Sequence, residues 1–178
     1  MNPPLTGLRV VEIATDIAGP YATKLLADAG ADVVKVERGA AGDPMRRWTA
    51  SGTALPPGDD GVLFRFLNTS KRSVVVAWET DAGRERLREL VAWADIVVES
   101  AGPEAGIDWR AVSACNPRAT LVSVSWFGRT GPWKDYPATE FTVQAWSGAT
   151  AIRGTVDRPP LHAGGRLGEW LAGGYAAI

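Results

Sequence analysis

Five short β-branched runs separated by helical segments, and a strand–helix–strand unit over residues 8–37, predict an α/β fold. The expected architecture is an open, mostly parallel, Rossmann-like sheet with helices on both faces. No Pro/Gly/Ser-rich linker, internal repeat or low-complexity tract divides the 178 residues, so one domain is expected.

"LRVVEIA" (residues 8–14) has the β-branched, apolar character of a buried strand. Pro20 opens a helix, "PYATKLLADAG", on which Ala22, Leu25, Leu26 and Ala29 share a face. Gly30 closes it in the position that a helix stop prefers. "DVVKVE" is the second strand, and the connection between the two must be right-handed. Residues 39–62, rich in Gly, Pro and Asp, read as a long loop of the kind that often carries function. "RSVVVAW" is a third strand, followed by the helix "TDAGRERLRELVAWA" with Thr80 or Asp81 as cap and Leu87, Leu90 and Val91 facing inward. "DIVVES" is a fourth strand, "DWRAVSAC" a short helix and "ATLVSVSWFG" a fifth strand. Near the end, Glu169 stands beside Gly168 at the head of a small-residue helix.

Net charge is −1, with 19 Lys and Arg against 20 Asp and Glu, which leaves no electrostatic footprint for nucleic acid or an anionic membrane. No apolar run approaches the roughly 20 residues of a membrane helix. The start of the chain has no basic region ahead of an apolar one, so it does not read as a signal peptide. One cysteine, Cys115, and one histidine, His162, exclude internal disulfides and Cys- or His-pair metal sites. A reducing cytoplasm is the expected setting.

The first crossover, "ATDIAGPYA", has one glycine where a dinucleotide-binding turn needs three, although Glu37 ends the second strand as a ribose-binding acid would. Arg38, Arg46, Arg47, Lys71 and Arg72 gather around strand ends, where guanidinium groups could pair with phosphates or stack on a purine. They could equally balance Asp32, Asp43, Asp59 and Asp60 across a solvated face. Eight tryptophans imply core or interface packing, and Trp170 could wall a pocket that desolvates Glu169. His162, in "RPPLHAGG", has no partner at motif spacing, and Cys115 reads as an inert buried thiol.

"LTGLRVVEIATDIAGPYATKLLADAGADVVKVERGAAGDPMRRW" resembles the N-terminal segment of the family III CoA-transferases, the carnitine-dehydratase and bile-acid-inducible F (CaiB/BaiF) group. "LNTSKRSVVVAWETDAGRERLRELVAWADIVVES", "NPRATLVSVSWFGRTGPWKDYPATEFTVQAWSG" and "GGRLGEWLAGGYAAI" resemble the next three blocks, in order and spacing. The resemblance implies a carboxylate nucleophile, at Glu169 here, that moves CoA from an acyl-CoA to a carboxylic acid acceptor through an anhydride and an enzyme-bound thioester. The family usually has aspartate at that position, and Asn and Phe where this chain has Ser100 and Ala101, followed by Gly102. Ile17, Ala18, Arg38 and Arg72 are carried over by resemblance as contacts to coenzyme A, which acts as co-substrate without a metal.

Racemases of the same superfamily would need a histidine near Thr139, and none is there. A non-catalytic homologue that binds CoA or a partner is the alternative reading. The resemblance further implies the N-terminal large-domain portion of a longer fold whose C-terminal part is absent, and a homo-oligomer or complementary chain as partner.

Overall fold

The structure is a computed structural model that describes residues 2–39, 42–101 and 105–178. Five strands, β1 (Arg9–Ile13), β2 (Asp32–Arg38), β3 (Arg72–Val76), β4 (Ile96–Glu99) and β5 (Thr120–Ser123), form one sheet. The order is β3-β2-β1-β4-β5 and every pairing is parallel. The winding reverses between β1 and β4, so a crevice opens there beyond the carboxyl ends of the strands.

The helices are α1 (Ala18–Asp28), α2 (Val62–Leu67), α3 (Asp81–Trp93), α4 (Trp109–Cys115), α5 (Glu140–Trp146) and α6 (Leu167–Ala176). Strand alternation sorts the valines between two faces. Val11, Val34, Val36 and Val97 meet Leu87, Leu90 and Val91 of α3 and Val112 of α4. Val10, Val33 and Val98 meet Ala27 of α1 on the opposite face. Each valine so buried contributes about 1.5–3 kcal/mol before entropy is counted.

The α1 face also buries charge. Glu12 and Lys35 are register partners on β1 and β2, and both are at most 1% exposed. Lys35 Nζ lies 2.7 Å from Glu12 Oε1 and 2.8 Å from Asp43 Oδ2. Lys71 Nζ and Thr23 Oγ1 reach Glu12 Oε2 at 2.7 and 2.5 Å. An ion cluster of this kind is tolerated only when each charge is paired, because removing one partner strands the others.

Several sequence expectations shift. α1 begins at Ala18 rather than Pro20, with Pro20 in its first turn, where a missing N–H costs nothing. Of its expected inward face only Ala22 is fully buried; Thr23, drawn in by Glu12, and Ala27 take the other places. β5 stops at Ser123, because the chain turns to bring Arg129 back onto Glu99. Among its described residues the 39–62 loop contains one 3₁₀ turn, Pro44–Arg47, capped by the Asp43 side chain. α2 has no signature in the sequence: six nearly all-apolar residues cannot show a helical period. Thr80 caps α3 by accepting the Gly83 N–H, and Gly30 takes φ +102°, both as expected. No helix among the described residues is long and apolar enough to cross a membrane.

Candidate functional site

β1 delivers the chain to a turn, Thr15–Asp16–Ile17, at the carboxyl edge of the sheet. Asp16 adopts φ 64°, a left-handed conformation that non-glycine residues seldom hold. Arg166, just before α6, does the same at φ 56°. The two strained residues face each other: Arg166 Nη2 donates to Asp16 Oδ1 at 2.8 Å. Strain retained at two facing positions is a recurring mark of functional sites.

Glu169, in the first turn of α6, completes the group and is only 6% exposed. Its Oε1 accepts from Arg166 Nε at 2.6 Å, and its Oε2 accepts the backbone N–H of Ile17 at 3.1 Å. Burial pushes the Glu169 pKa above the ordinary glutamate value; Arg166 and the Ile17 N–H oppose the rise, and Asp16 adds to it. Trp170 is not the wall that desolvates it. That indole packs edge-on against Tyr21, with centroids 4.9 Å apart, and donates to Gly165 O.

A cavity of about 280 Å³ opens beside Glu169, lined also by Ala18, Ser125, Arg129, Glu140 and Arg166. Glu140, in the first turn of α5, accepts the Gly168 N–H at 2.6 Å and Gln144 Nε2 at 2.8 Å, which ties α5 to the head of α6. A larger cavity of about 670 Å³ lies over the carboxyl ends of β1, β2 and β4 and is walled by Arg38, Trp78, Glu79 and Ala101. Thr15 and Ser100 line both cavities, so the two are adjacent. A third cavity, of about 440 Å³ between α3 and α4, shares no lining residue with them.

The sequence candidates separate accordingly. Ile17 and Ala18 sit at the start of α1 against Glu169, and Arg38 stands in the larger cavity. Arg38 pairs with Glu79 and lies 5.7 Å over the Trp78 ring, whose buried Nε1 has no hydrogen-bond partner among the described residues. Arg72 does not join them. It begins β3 at the amino end of the sheet, doubly bonded to Asp32 and stacked on Trp93.

The other basic residues are committed internally: Arg46 to Glu37 and Asp60, Lys71 to Glu12, Arg47 to Asp59 O. Glu37 is held near a pKa of about 2 against the effect of its burial by Arg46, Ser73 and the Asp43 N–H, so it has no free face for a ribose. His162 is exposed against Phe141, and Cys115 donates to Arg88 O. Thr139 caps α5. Gly102 lies outside the described residues.

Sequence reading missed Asp16, Arg129, Glu140 and Arg166. They come from four separate segments at no motif spacing. The one local cue was Glu140 directly after the capping Thr139.

Comparison with known proteins bears on the fold and the family. The profile of CoA-transferase family III matches residues 5–178. The succinate–glutarate CoA-transferase of Agrobacterium fabrum is 36% identical over 98% of this chain and 45% of its own length. The formyl-CoA:oxalate CoA-transferase of Streptomyces avermitilis is 37% identical over 99% of this chain and 42% of its own. The crystal structure of a CaiB/BaiF family protein from Brucella suis superposes with a TM-score of 0.90 at 35% identity, covering 99% of this chain and 48% of that one. The chain thus spans under half the length of these relatives, and it belongs to CoA-transferase family III.

Proposed function

We propose that this chain carries the nucleophile of an enzyme that moves CoA between carboxylic acids, and that Glu169 is that nucleophile. The observation that supports this reading is the setting of Glu169. A buried carboxylate with a raised pKa faces a cavity adjacent to a second, larger one at the switch point of a parallel sheet. The pair of cavities suits a long ligand. The nucleotide end of CoA would lie near Arg38, with the chain passing Ile17 and Ala18 to bring its thioester to Glu169. Arg72, paired with Asp32 at the far end of the strands, enters this proposal only as a support for the sheet.

In the proposed reaction a Glu169 oxygen attacks the thioester carbonyl, the C–S bond breaks, and a mixed anhydride and CoA thiolate result. The thiolate then attacks the glutamyl carbonyl, which releases the donor acid and leaves a glutamyl-CoA thioester. The acceptor carboxylate attacks that thioester and releases thiolate; the thiolate takes the acceptor's acyl carbon from the new anhydride, and Glu169 is restored. Each carboxylate oxygen has two lone pairs, so Glu169 can accept from Arg166 or Ile17 and still attack. Within the complete protein we assign residues 1–178 to the N-terminal part of the large domain. The exposed Trp133, Trp146 and Tyr175 would be covered by further chain or by a second copy.

A second reading, a CoA- or partner-binding homologue without turnover, draws on the same contacts. Both Glu169 oxygens already have donors, and glutamate adds a methylene to the usual aspartate. Incubating the complete protein with acyl-CoA and hydroxylamine decides between them. A hydroxamate on Glu169 is expected; its absence while CoA still binds would favour the second reading.

A further inference from the structure

The proposed reaction moves one negative charge inside the cavity beside Glu169. Glu169 gives it up on forming the anhydride, and the electron pair of the broken C–S bond carries it onto the CoA sulfur. No proton moves, so the sulfur must stay a thiolate until it attacks the glutamyl carbonyl. An ordinary thiol has a pKa of about 8.5, so at pH 7 an unassisted thiolate picks up a proton and loses its nucleophilicity. Asp16 and Glu140 line the same cavity and, as like charges, favour that proton. The charge therefore needs a cation where it starts and another where it ends.

Arg166 serves the start, bound to Glu169 and Asp16. Arg129 is the other cation of the lining, and its guanidinium is anchored along one edge only. Nε donates to Ser123 Oγ at 2.9 Å and Glu99 Oε1 at 3.2 Å. Nη2 donates to Glu99 Oε2 at 2.8 Å, Glu99 Oε1 at 3.0 Å and Val124 O at 3.3 Å. Nη1 has no acceptor among the described residues, so its two hydrogens stay uncommitted. Glu99, 1% exposed at the end of β4, holds the fork rigidly. The next residue, Ser100, accepts the Thr15 N–H at 3.2 Å, and these two residues line both cavities. A CoA chain that enters from the larger cavity passes them, which brings its sulfur into the lining that Arg129 shares with Glu169.

We propose that Arg129 is a catalytic residue whose Nη1 edge holds the CoA thiolate between its departure from the acyl group and its return to the glutamyl carbonyl. The proposal rests on Glu169 as nucleophile and adds the group that receives the displaced charge. A guanidinium within hydrogen-bond reach keeps sulfur ionised, and the two Nη1 hydrogens are the ones an anion can still occupy. Arg166 stays committed to Asp16, through Nη2 at 2.8 Å, when Glu169 is acylated.

The test uses the complete protein carrying Glu169→Gln, whose neutral amide stands where the acylated carboxyl would. Titrating CoA bound to it, with ultraviolet absorbance reading the thiolate, gives the ionised fraction at pH 7. That fraction should exceed the value for free CoA about tenfold, the effect of one close opposite charge, and adding Arg129→Gln should erase the excess. Because Arg129→Gln strands the buried Glu99, the charge-neutral pair Glu99→Gln/Arg129→Gln is tested beside it and should erase the excess too. With Glu169 intact, Arg129→Gln should lower kcat for exchange about tenfold or more while KM for acyl-CoA stays within about twofold. An equal thiolate fraction in bound and free CoA overturns the proposal, as does an unchanged kcat in Arg129→Gln. An excess that survives both variants, or that follows Arg166→Gln instead, does so too, and so does CoA that fails to bind the complete protein. Failure of the underlying reading looks different: exchange would persist in Glu169→Gln while the thiolate excess still followed Arg129.

Discussion

Ile17 donates its backbone N–H to Glu169 Oε2 over 3.1 Å, joining two residues that are 152 positions apart. The parallel link from Arg166 to Asp16 spans 150 positions and joins the same two segments. Between them they clamp the β1–α1 turn to the head of α6. The position of the carboxylate is therefore set by how two helices dock, and the first test is of the carboxylate itself.

Glu169→Gln keeps the shape and the Ile17 contact but removes the carboxylate proposed as nucleophile. Exchange should be abolished while the dissociation constant for CoA stays within about twofold, since an amide cannot attack a thioester. Glu169→Asp withdraws the carboxylate by one methylene from both Arg166 and Ile17. A displacement of about 1 Å costs on the order of a hundredfold in rate, and kcat should fall accordingly. Full activity in Glu169→Gln would remove the carboxylate from the mechanism.

Arg166 offers a pH test. Burial raises the Glu169 pKa and Arg166 holds the rise down. In the proposed mechanism only the ionised carboxylate attacks, so the acid limb of kcat should follow this pKa. Arg166→Gln removes the opposing charge, the pKa rises further, and the limb must move to higher pH. A shift to lower pH, or none, would show that Arg166 does not act on the nucleophile.

Gly173 tests the docking of α6 on α1. A Cβ there would stand 2.6 Å from Ala18 O and 3.1 Å from Tyr21 Cβ, and the backbone oxygen cannot yield cheaply. Gly173→Ala should lower stability by about 1–3 kcal/mol, the usual cost of overpacking. It should also reduce exchange by displacing Glu169 from Ile17. The neighbouring Gly174 has open space, so Gly174→Ala should be neutral or stabilise the helix by about 0.5–1 kcal/mol. Equal effects from the two variants in urea unfolding would rule out the close approach.

Much of this fold was legible because its signals are local. Val10 and Val11 report their faces through a period of two, and Thr80 and Gly30 mark helix ends by chemistry that acts within one turn. The head of α6 was legible too, since Glu169 follows a glycine in a recognisable block. The rest of the site depends on long-range contacts. Asp16 and Arg166 take left-handed conformations usually left to glycine, and nothing near them in the chain requires it. Arg72 is carried over by resemblance as a CoA contact; the fold places it with Asp32, away from Arg38, while its neighbour Lys71 turns inward to Glu12.

Arg38 tests where the nucleotide end of CoA lies. It stands at the carboxyl end of β2 in the larger cavity, over the Trp78 ring. Arg38→Ala should weaken CoA binding by about 1–3 kcal/mol, the range for a charged hydrogen-bonding partner. Arg72→Ala should leave it unchanged, since that side chain is at the other end of the sheet. Calorimetry with CoA measures both, and the reverse order of effects would move the nucleotide to the amino end of the strands.

Lys71 gives a prediction about stability. Its Nζ donates to Glu12 Oε2, Pro20 O and Asn68 Oδ1, and its side chain is 1% exposed. Burial lowers its pKa from 10.5 to about 8; Glu12 works against that fall, and the like charge of Lys35 adds to it. Between those two values the unfolded chain holds a proton that the folded chain has released, so stability rises with pH across the window. Below about 8 both states are protonated and the full cost of the buried ammonium remains. Lys71→Met should remove this slope. It should also destabilise the protein at pH 7, by up to about 3–5 kcal/mol, because the buried Glu12 Oε2 loses its ammonium partner. Urea midpoints at pH 7.5 and 9.5 give the comparison: wild type should gain stability over the interval relative to Lys71→Met. Parallel slopes for the two proteins would mean that Lys71 does not titrate in this range.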